Sequence, residues 1–192
     1  MLDDKQFIED CLRTESKIEK VKVDPELLAG AGMAFISAGT ILDQIKKHAF
    51  YGKDYNENEL RAEFATIIES MDLLKESILN ITDESREQEL EVNPRMFHAI
   101  VGIATEATEL VEAMEIDGSE MDYVNISEEM GDIGWYQSIA FDEMDTDIST
   151  SYNAVVAKLK KRYGEKFTSE AAINRDTDAE REVLEDEQGQ GC

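Results

Sequence analysis

Cysteine, proline, histidine and tryptophan are all scarce in this 192-residue chain, which has two, two, two and one of them respectively. Cys11 and Cys192 lie near opposite ends of the chain, so they form neither a zinc-type ligand spacing nor a disulfide framework. With so few cysteines, we expect a reducing, cytoplasmic location. Neither His48 nor His98 follows a glutamate by three residues, which argues against a ferritin-like di-iron protein.

Basic residues are also few, because 19 Lys and Arg stand against 44 Asp and Glu and leave a formal net charge of −25. A surface this acidic repels the phosphates of nucleic acids and the headgroups of anionic membranes, so we expect neither as a partner. No apolar run approaches the length of a transmembrane helix, and the opening MLDDKQFIEDCLRTE is unlike a signal peptide. The length of 192 residues suits one ordinary domain or two small ones, and a hydrophobic content of 42% is enough to build a core.

The two prolines mark the starts of two similar stretches. Pro25 follows Asp24 and Pro94 follows Asn93, an arrangement typical of an N-cap residue before a proline at the first helical position. Apolar residues recur at helical spacing along most of the chain, and no stretch alternates with period two. We therefore predict an all-α fold, a helical bundle.

The prolines are 69 residues apart, and this constant offset predicts a degenerate repeat of one helical hairpin, at about 25–80 and again at about 94–145. With a three-residue deletion in the loop, Glu63 aligns with Glu129. The first copy otherwise lacks the acidic residues of the second, since Ser37, Thr40 and Thr66 stand in place of Glu106, Glu109 and Asp132. The alternative is that any two amphipathic helix pairs align this well.

The domain organisation follows from the repeat. We expect residues 1–92 to be an N-terminal helical segment that contains the degenerate hairpin. Residues 93–185 would hold the chemistry-bearing helices and a C-terminal tail, and residues 186–192 would be a disordered end.

The acidic residues of the second hairpin form two clusters, TEATE and SEEMGD. Glu106 and Glu109 are three residues apart, and so are Glu129 and Asp132, so each pair lies on one face of a helix. Two such helices packed together would gather four carboxylates, which repel one another unless a cation or protons bind. Oxygen ligands alone favour a hard cation, Mg²⁺ first and Mn²⁺ or Ca²⁺ after it.

A simpler interpretation is that these residues are solvated glutamates of a very acidic protein. The apolar neighbours of both clusters argue against it, because they indicate that the carboxylates face a core, where unpaired charge is costly. The second cluster carries two further signals. Asn125 followed by Glu128 resembles a capping box at the start of its helix. Gly131 costs about 1 kcal/mol relative to alanine there and usually lets another helix or a ligand come close.

Three blocks in order resemble the all-α NTP pyrophosphatases: HAIVGIATEATELVEAM, VNISEEMGDIGWY and AKLKKRYGEKFTSEAAINRDTDAEREVLE. The most similar branch is the MazG-like nucleotide pyrophosphohydrolases common in bacteriophages, and the resemblance covers about 96–185. That family carries EExxE followed by ExxD. Thr105 stands where the first glutamate is usual, while Glu106, Glu109, Glu129 and Asp132 match the other positions. Related dimeric dUTPases carry a duplicated helical unit, in agreement with the repeat.

The resemblance implies hydrolysis of a nucleoside triphosphate to the monophosphate and pyrophosphate, by a homodimer or larger homo-oligomer. Glu106, Glu109, Glu129 and Asp132 would hold Mg²⁺, with Mn²⁺ as a substitute, and Glu109 or Glu106 would act on the attacking water.

The triphosphate also needs cationic partners, and the dense basic cluster of the chain supplies candidates together with the segment after it. These candidates are Lys158, Lys161, Arg162, Tyr163, Asn174 and Arg175, of which Arg162, Tyr163 and Arg175 fall in the C-terminal block of the resemblance. The alternative for the lysines is a favourable cationic helix C-terminus. His98 and Trp135 are candidates for contact with the base, although aromatic residues at helical spacing more often belong to a core.

A non-catalytic alternative remains open. Because Thr105 departs from the family motif and the first hairpin is degenerate, the chain could be an acidic interaction protein built on a decayed pyrophosphatase scaffold. A Mg²⁺ requirement together with pyrophosphate release would separate the two.

Overall fold

The computed structural model describes residues 3–114 and 120–188, and most of them are helical. The elements in chain order are α1 (Asp4–Leu12), β1 (Val21–Val23), α2 (Pro25–Tyr51), α3 (Glu57–Leu79), β2 (Gln88–Leu90), α4 (Pro94–Ala113), α5 (Tyr123–Glu143), α6 (Ile148–Tyr163), α7 (Ser169–Ile173) and α8 (Thr177–Gln188). The two short strands pair with each other, and a 3₁₀ turn, Glu84–Arg86, precedes β2. The predicted all-α fold is confirmed.

Both proline-marked helices begin as the sequence predicts. The Asp24 carboxylate accepts the backbone N–H of Glu26 at 2.9 Å, and the Asn93 side chain accepts that of Arg95 at 2.9 Å. Such N-caps satisfy backbone donors that the first helical turn leaves unpaired, and each contributes about 1 kcal/mol.

The start of α5 differs from the prediction. Its N-cap is Asp122, whose carboxylate accepts the N–H groups of Val124 and Asn125 at 3.0 and 3.1 Å. Asn125 is therefore a residue of the first turn and not the cap. Asp122 and Asn125 are both suitable N-cap residues. Because Asp122 lies three residues earlier, α5 is longer than predicted by most of a turn.

The chain divides into two compact units, of which the first comprises Met1–Val21, Glu91–Lys158 and Arg181–Cys192. Within it α4 packs along α5, and α1 packs on α5. Ala99, Ile139 and Ala154 have no exposed surface. Gly102 admits the ring of Tyr136 so closely that a Cβ at position 102 would lie 2.2 Å from its carbon atoms. The absent side chain at Gly102 therefore sets how closely α4 and α5 approach.

The second unit comprises Lys22–Leu90 and Leu159–Glu180, so that α6 and α8 each contribute to both units. In this unit α2 packs along α3, with the close approach at Gly30, where a Cβ would lie 2.9 Å from Leu74. Arg86 donates to Asp24 at 2.7 Å and to Glu26 at 2.6 Å, which ties the 3₁₀ turn to the first turn of α2.

The spacing of helix starts matches the proposed repeat. α2 and α4 begin at residues 25 and 94, which are 69 apart, whereas α3 and α5 begin at 57 and 123, which are 66 apart. The difference is the three-residue deletion inferred from the sequence. Descent from one hairpin stays a prediction, which superposing 25–75 on 94–141 would test. The domain boundaries at 92 and 185 also stay predictions. Of the predicted disordered end, α8 extends to Gln188, and 189–192 lie outside the described residues.

One expectation about apolar runs needs correction. By length and composition alone, α2 is long enough and apolar enough to cross a bilayer. Glycine, alanine and serine residues separate the larger apolar residues of α2. They lower the hydrophobicity of the helix without adding charge, so the apolar stretch is not evident in the sequence. Core helices of soluble proteins can be equally long and apolar, so the expectation of no membrane partner stays a prediction.

We expect Gly102→Ala to lower the free energy of unfolding by about 1–3 kcal/mol, because the added methyl must displace a rigid, half-buried ring. Urea denaturation of the whole chain measures the change. Gly131→Ala is the matched control on the partner helix, since no described atom lies within 4 Å of a Cβ there, and it should stabilise by about 0.5–1 kcal/mol. Equal effects of both substitutions would refute the close approach.

Candidate metal centre and adjoining cavity

Three acidic side chains converge where α4 packs along α5. One carboxylate oxygen each from Glu106, Glu129 and Asp132 lies within 4.8 Å of the others. Glu129 is 4% exposed, Glu106 is half-buried and Asp132 is exposed. The packing of the two helices thus brings together three of the four carboxylates predicted from the sequence.

Burial and like charge make this cluster electrostatically unfavourable. Burial, a hydrogen bond with Glu106 and the charges of Glu109, Glu106 and Asp132 raise the pKa of Glu129 to about 7. Two carboxylates can share a hydrogen bond only if one of them holds a proton. A proton shared by Glu106 and Glu129 therefore neutralises one negative charge of the cluster, as a bound cation would. Exposed Glu109 lies outside the group of three, yet its charge acts on Glu129.

The donor set fits a hard divalent cation. All three converging ligands are carboxylate oxygens, which is the chemistry that Mg²⁺ and Mn²⁺ prefer. A cation here would offset the repulsion that the raised pKa of Glu129 reveals. Asp132 and Glu109 are both exposed, so water can reach the cluster at these two side chains.

Thr105, which replaces the first glutamate of the family motif, makes local contacts only among the described atoms. Its hydroxyl donates to the carbonyl oxygen of Gly102 at 2.8 Å and lies 3.5 Å from a carboxylate oxygen of Glu106. Its hydroxyl is a neutral group beside Glu106 where the family motif has a charged one.

A cavity of about 360 Å³ lies beside α4 and α5, and its lining includes Thr105, the sequence neighbour of Glu106, but none of the four carboxylates. Its walls come from the first half of α4, from α5 and from a segment after α1, and they are lined by Ser16, Lys17, Ile18, Pro94, Arg95, Phe97, His98, Val101, Gly102, Thr105 and Tyr136. Most of these side chains are apolar or aromatic. The volume falls in the range of small-molecule sites, roughly 300–1,000 Å³.

Three aromatic rings form a cluster at the cavity. His98 meets Tyr136 edge to face, with ring centroids 5.4 Å apart, and meets Trp135 in the same way at 5.9 Å. His98 and Tyr136 line the cavity, whereas the Trp135 indole N–H donates to the Thr14 hydroxyl at 2.9 Å. Of the two predicted base contacts, the structure places His98 at the cavity and Trp135 against the rings that line it.

Tyr136 is a residue that the sequence analysis missed. Burial and the charges of Glu106, Asp132 and Glu109 raise the pKa of its hydroxyl, so the ring lies between the cavity and the acidic cluster. The signal was present in the spacing. Tyr136 follows Asp132 by four residues and Glu129 by seven, which puts all three on one face of α5.

The predicted phosphate-binding arginines have a partner that the sequence did not reveal. Arg162 donates from Nε to Glu180 at 2.7 Å, and Arg175 donates from Nη2 to the same carboxylate at 2.7 Å. These hydrogen bonds lower the pKa of Glu180, which is 4% exposed, to about 2. All three residues belong to the second unit, and their ion pairs compete with binding of a phosphate.

The remaining predicted substrate residues lie on α6 and α7. Lys158 is half-buried and Lys161 is exposed. The ring of Tyr163 packs on Phe167, with centroids 5.2 Å apart, and Asn174 ends α7 by donating its N–H to the carbonyl oxygen of Glu170. Lys158 belongs to the first unit and the others to the second. Their assignment to the triphosphate stays a prediction.

Residues 98–167 match the family model of the MazG nucleotide pyrophosphohydrolase domain. The match begins within α4, includes all of α5 and α6, and contains the four predicted metal ligands together with Tyr136. No curated protein and no solved structure matches the chain. The resemblance recognised in the sequence motifs is therefore confirmed for residues 98–167, which match the MazG nucleotide pyrophosphohydrolase domain.

Proposed function

We propose that the protein is a Mg²⁺-dependent nucleoside triphosphate pyrophosphohydrolase. It would convert a ribo- or deoxyribonucleoside triphosphate and water to the monophosphate and pyrophosphate, acting on the cytoplasmic nucleotide pool. The observation that carries the proposal is the convergence of Glu106, Glu129 and Asp132 inside the MazG domain.

The carboxylates have two roles in the proposed reaction. Glu106, Glu129 and Asp132 would hold Mg²⁺, which when bound polarises phosphoryl oxygens and lowers the pKa of a bound water. Glu109 is exposed beside the group of three, where it could orient the attacking water and accept its proton. Glu106 shares in this role through its half-buried carboxylate, as the sequence motif implies.

The adjoining cavity suits the nucleoside half of the substrate. Aromatic and aliphatic side chains such as Phe97, Val101 and Tyr136 offer faces for a base, and His98 offers ring nitrogens for a hydrogen bond. The charge of Arg95 is taken up by Glu15, Asp142 and Glu143, so this guanidinium is occupied by carboxylates. The phosphates would therefore extend from the cavity toward the metal.

Cations for the triphosphate are proposed on α6 and the segment after it. Lys158 and Lys161 carry the charge required, and Tyr163 and Asn174 could donate hydrogen bonds. Arg162 and Arg175 could contribute only by sharing or exchanging the carboxylate of Glu180.

A non-catalytic acidic interaction protein is the second candidate, and one observation favours it. Thr105 brings no carboxylate to the first motif position, and of the four motif carboxylates that are present only three converge. Release of pyrophosphate from any of the eight canonical NTPs and dNTPs, dependent on Mg²⁺, would exclude this candidate.

We expect Glu106→Gln, Glu109→Gln, Glu129→Gln and Asp132→Asn each to lower Mg²⁺-dependent turnover by more than about a hundredfold, because even outer partners of metal ligands are worth ~10–100-fold. Each change is nearly isosteric and removes one formal charge. Pyrophosphate release at saturating Mg²⁺ is the measurement, with circular dichroism to show that the fold is intact.

Glu63→Gln is the matched control, because Glu63 is the half-buried counterpart of Glu129 in the first hairpin. It should leave turnover nearly unchanged. If the four variants keep wild-type rates, the catalytic assignment is wrong and the interaction-protein candidate gains.

In the absence of divalent metal, we expect Glu129→Gln to melt at a higher temperature than wild type at about pH 8. The pKa of Glu129 in the folded chain is about 7, above its ordinary value of 4.5. The stability linked to its proton is therefore complete below the unfolded pKa and is lost as pH rises through the folded pKa. Thermal melts in EDTA between about pH 5 and 8 should show the advantage of the variant growing with pH.

The adjacent exposed residue supplies the control for this effect. Glu128→Gln also removes one negative charge from the same helix, but it should give no comparable pH-dependent gain. Equal gains would mean that only the net charge matters. Added Mg²⁺ should then raise the melting temperature of wild type more than that of Glu129→Gln, because a ligand that binds only the folded state stabilises it.

We also propose that the protein is a homodimer or larger homo-oligomer, joined through the outer face of α2. Residues 27–42 contain no charged residue, in a chain of net charge −25. On this face Phe35, Ile36 and Leu42 are 45%, 67% and 46% exposed. Gly32 and Gly39 lie on the same face, and a Cβ at either would meet no described atom within 4 Å.

A second copy fits this face better than a charged partner would. An uncharged surface lets two acidic chains approach each other without opposing carboxylates. Glycine in a helix costs about 0.5–1 kcal/mol relative to alanine, and the described part of the chain offers no packing reason for Gly32 or Gly39. Close approach of a second helix would supply one.

Multi-angle light scattering at micromolar concentration should find at least a dimer, and Ile36→Lys should shift it to monomer. Ile36 is already mostly exposed within one chain, so the lysine should leave the fold intact. Ile78→Lys, on α3 and similarly exposed at 57%, is the control and should keep the wild-type mass. A wild-type monomer would refute the interface, although it would leave the catalytic proposal standing.

A further inference from the structure

A short segment before the MazG match forms one wall of the cavity. After α1 ends at Leu12, residues 13–18, here called the N-terminal strap, run along the first unit. Ser16, Lys17 and Ile18 of the strap line the cavity. The match to the MazG family covers only 98–167, so this wall lies outside the matched domain.

The strap is fixed at Glu15 by a two-pronged ion pair. Arg95 donates from Nε to one oxygen of Glu15 at 2.7 Å and from Nη2 to the other at 3.0 Å. The Glu15 side chain has no exposed surface. Burial would raise the pKa of Glu15, but the hydrogen bonds and charge of Arg95 outweigh it and hold this pKa below its usual range. Bidentate pairs of this kind fix orientation as well as distance.

A second contact holds the strap one residue earlier. Thr14 accepts the indole N–H of Trp135 at 2.9 Å, and Trp135 contacts both His98 and Tyr136. The strap is therefore bound to the two helices that carry the carboxylates. Because Glu15 is followed at once by the three cavity residues, fixing its carboxylate fixes the position of the wall.

The same ion pair sets the charge of the cavity. Arg95 lines the cavity, but its guanidinium is shared among Glu15, Asp142 and Glu143, at 2.7, 2.8 and 2.8 Å. Lys17 lies 3.4 Å from Glu15 as well. The wall thus presents methylene and methyl groups and paired charges, which suit an uncharged base and sugar better than a phosphate.

We propose that the N-terminal strap, locked by Arg95 to Glu15, is a nucleoside-positioning wall that completes the substrate site of the MazG domain. This inference rests on the proposed pyrophosphohydrolase function. Glu15 is a positioning residue, since it holds the wall and lies outside the cavity lining. Ile18 is the strap residue that would touch the nucleoside.

Two partners of Arg95 provide a matched pair of variants. Glu15→Gln weakens the hold on the strap, whereas Asp142→Asn removes the same charge from the same guanidinium and leaves the strap in place. For the NTP with the highest kcat/KM in the wild type, Glu15→Gln should raise KM about tenfold, as loss of one apolar contact does. Its kcat should stay within about twofold, because the interaction lost is equal in ground and transition states.

Asp142→Asn should keep the KM of the wild type, and Ile18→Ala should raise KM as Glu15→Gln does. Ile18 is 58% exposed, so its truncation leaves the fold intact and keeps the test valid if Glu15→Gln unfolds the chain. Equal KM values for Ile18→Ala and wild type would overturn the proposal. So would equal KM increases for Glu15→Gln and Asp142→Asn, which would indicate general loosening.

A binding measurement separates this proposal from the catalytic one. Trp135 is the only tryptophan in the chain, so intrinsic fluorescence reports on the contact between Thr14 and the aromatic cluster. Titration with the eight canonical nucleoside monophosphates should change this fluorescence in the wild type and require about tenfold more ligand in Ile18→Ala. Binding that weakens in Ile18→Ala without any turnover supports the wall and refutes only the activity. Turnover with unchanged affinity in Ile18→Ala refutes only the wall, and no binding of any monophosphate refutes it as well.

Discussion

The packing of α4 along α5 forces like charges together, and the rest of the first unit is built around that contact. Burying a charged carboxylate destabilises the folded protein. Glu129 is buried, and two further acidic side chains, Glu106 and Asp132, lie close to it. Helices that bear only solvated glutamates would turn these residues outward. The chain instead buries Glu129 beside half-buried Glu106 and exposed Asp132, an arrangement that a bound cation would stabilise.

Local rules made much of the fold predictable from the sequence. The caps at Asp24 and Asn93 depend on neighbours two and three residues away, and the pairing of Glu129 with Asp132 depends on helical periodicity. Each is settled within one turn of helix. The start of α5 was missed because Asp122 and Asn125 are both good caps, and local preference cannot rank them.

The features that the sequence did not reveal depend on contacts between distant residues. Glu180 is 18 residues from Arg162, and no periodicity links an exposed-looking glutamate near the end of the chain to an arginine on another helix. The strap has no helical spacing at all, so Glu15 carried no signal of its partner 80 residues away. Glu109 belongs to the same helix face as Glu106, yet three-dimensional packing leaves it outside the closest group.

The close approach at Gly102 bears on whether the acidic residues of the second hairpin could form the same cluster if they were placed in the first hairpin. By the offsets of the helix starts, the position of Gly102 corresponds to Met33 and that of Tyr136 to Ser70. In the first hairpin the tight contact is instead made at Gly30, one turn nearer the start of the helix. The close contact is therefore made at different positions of the first helix in the two pairs. Acidic residues placed at positions 37, 40 and 66 would lie on helices whose close contact is about one turn away from the counterpart of Gly102. Those three substitutions alone would therefore not reproduce the surroundings of the carboxylates of the second hairpin.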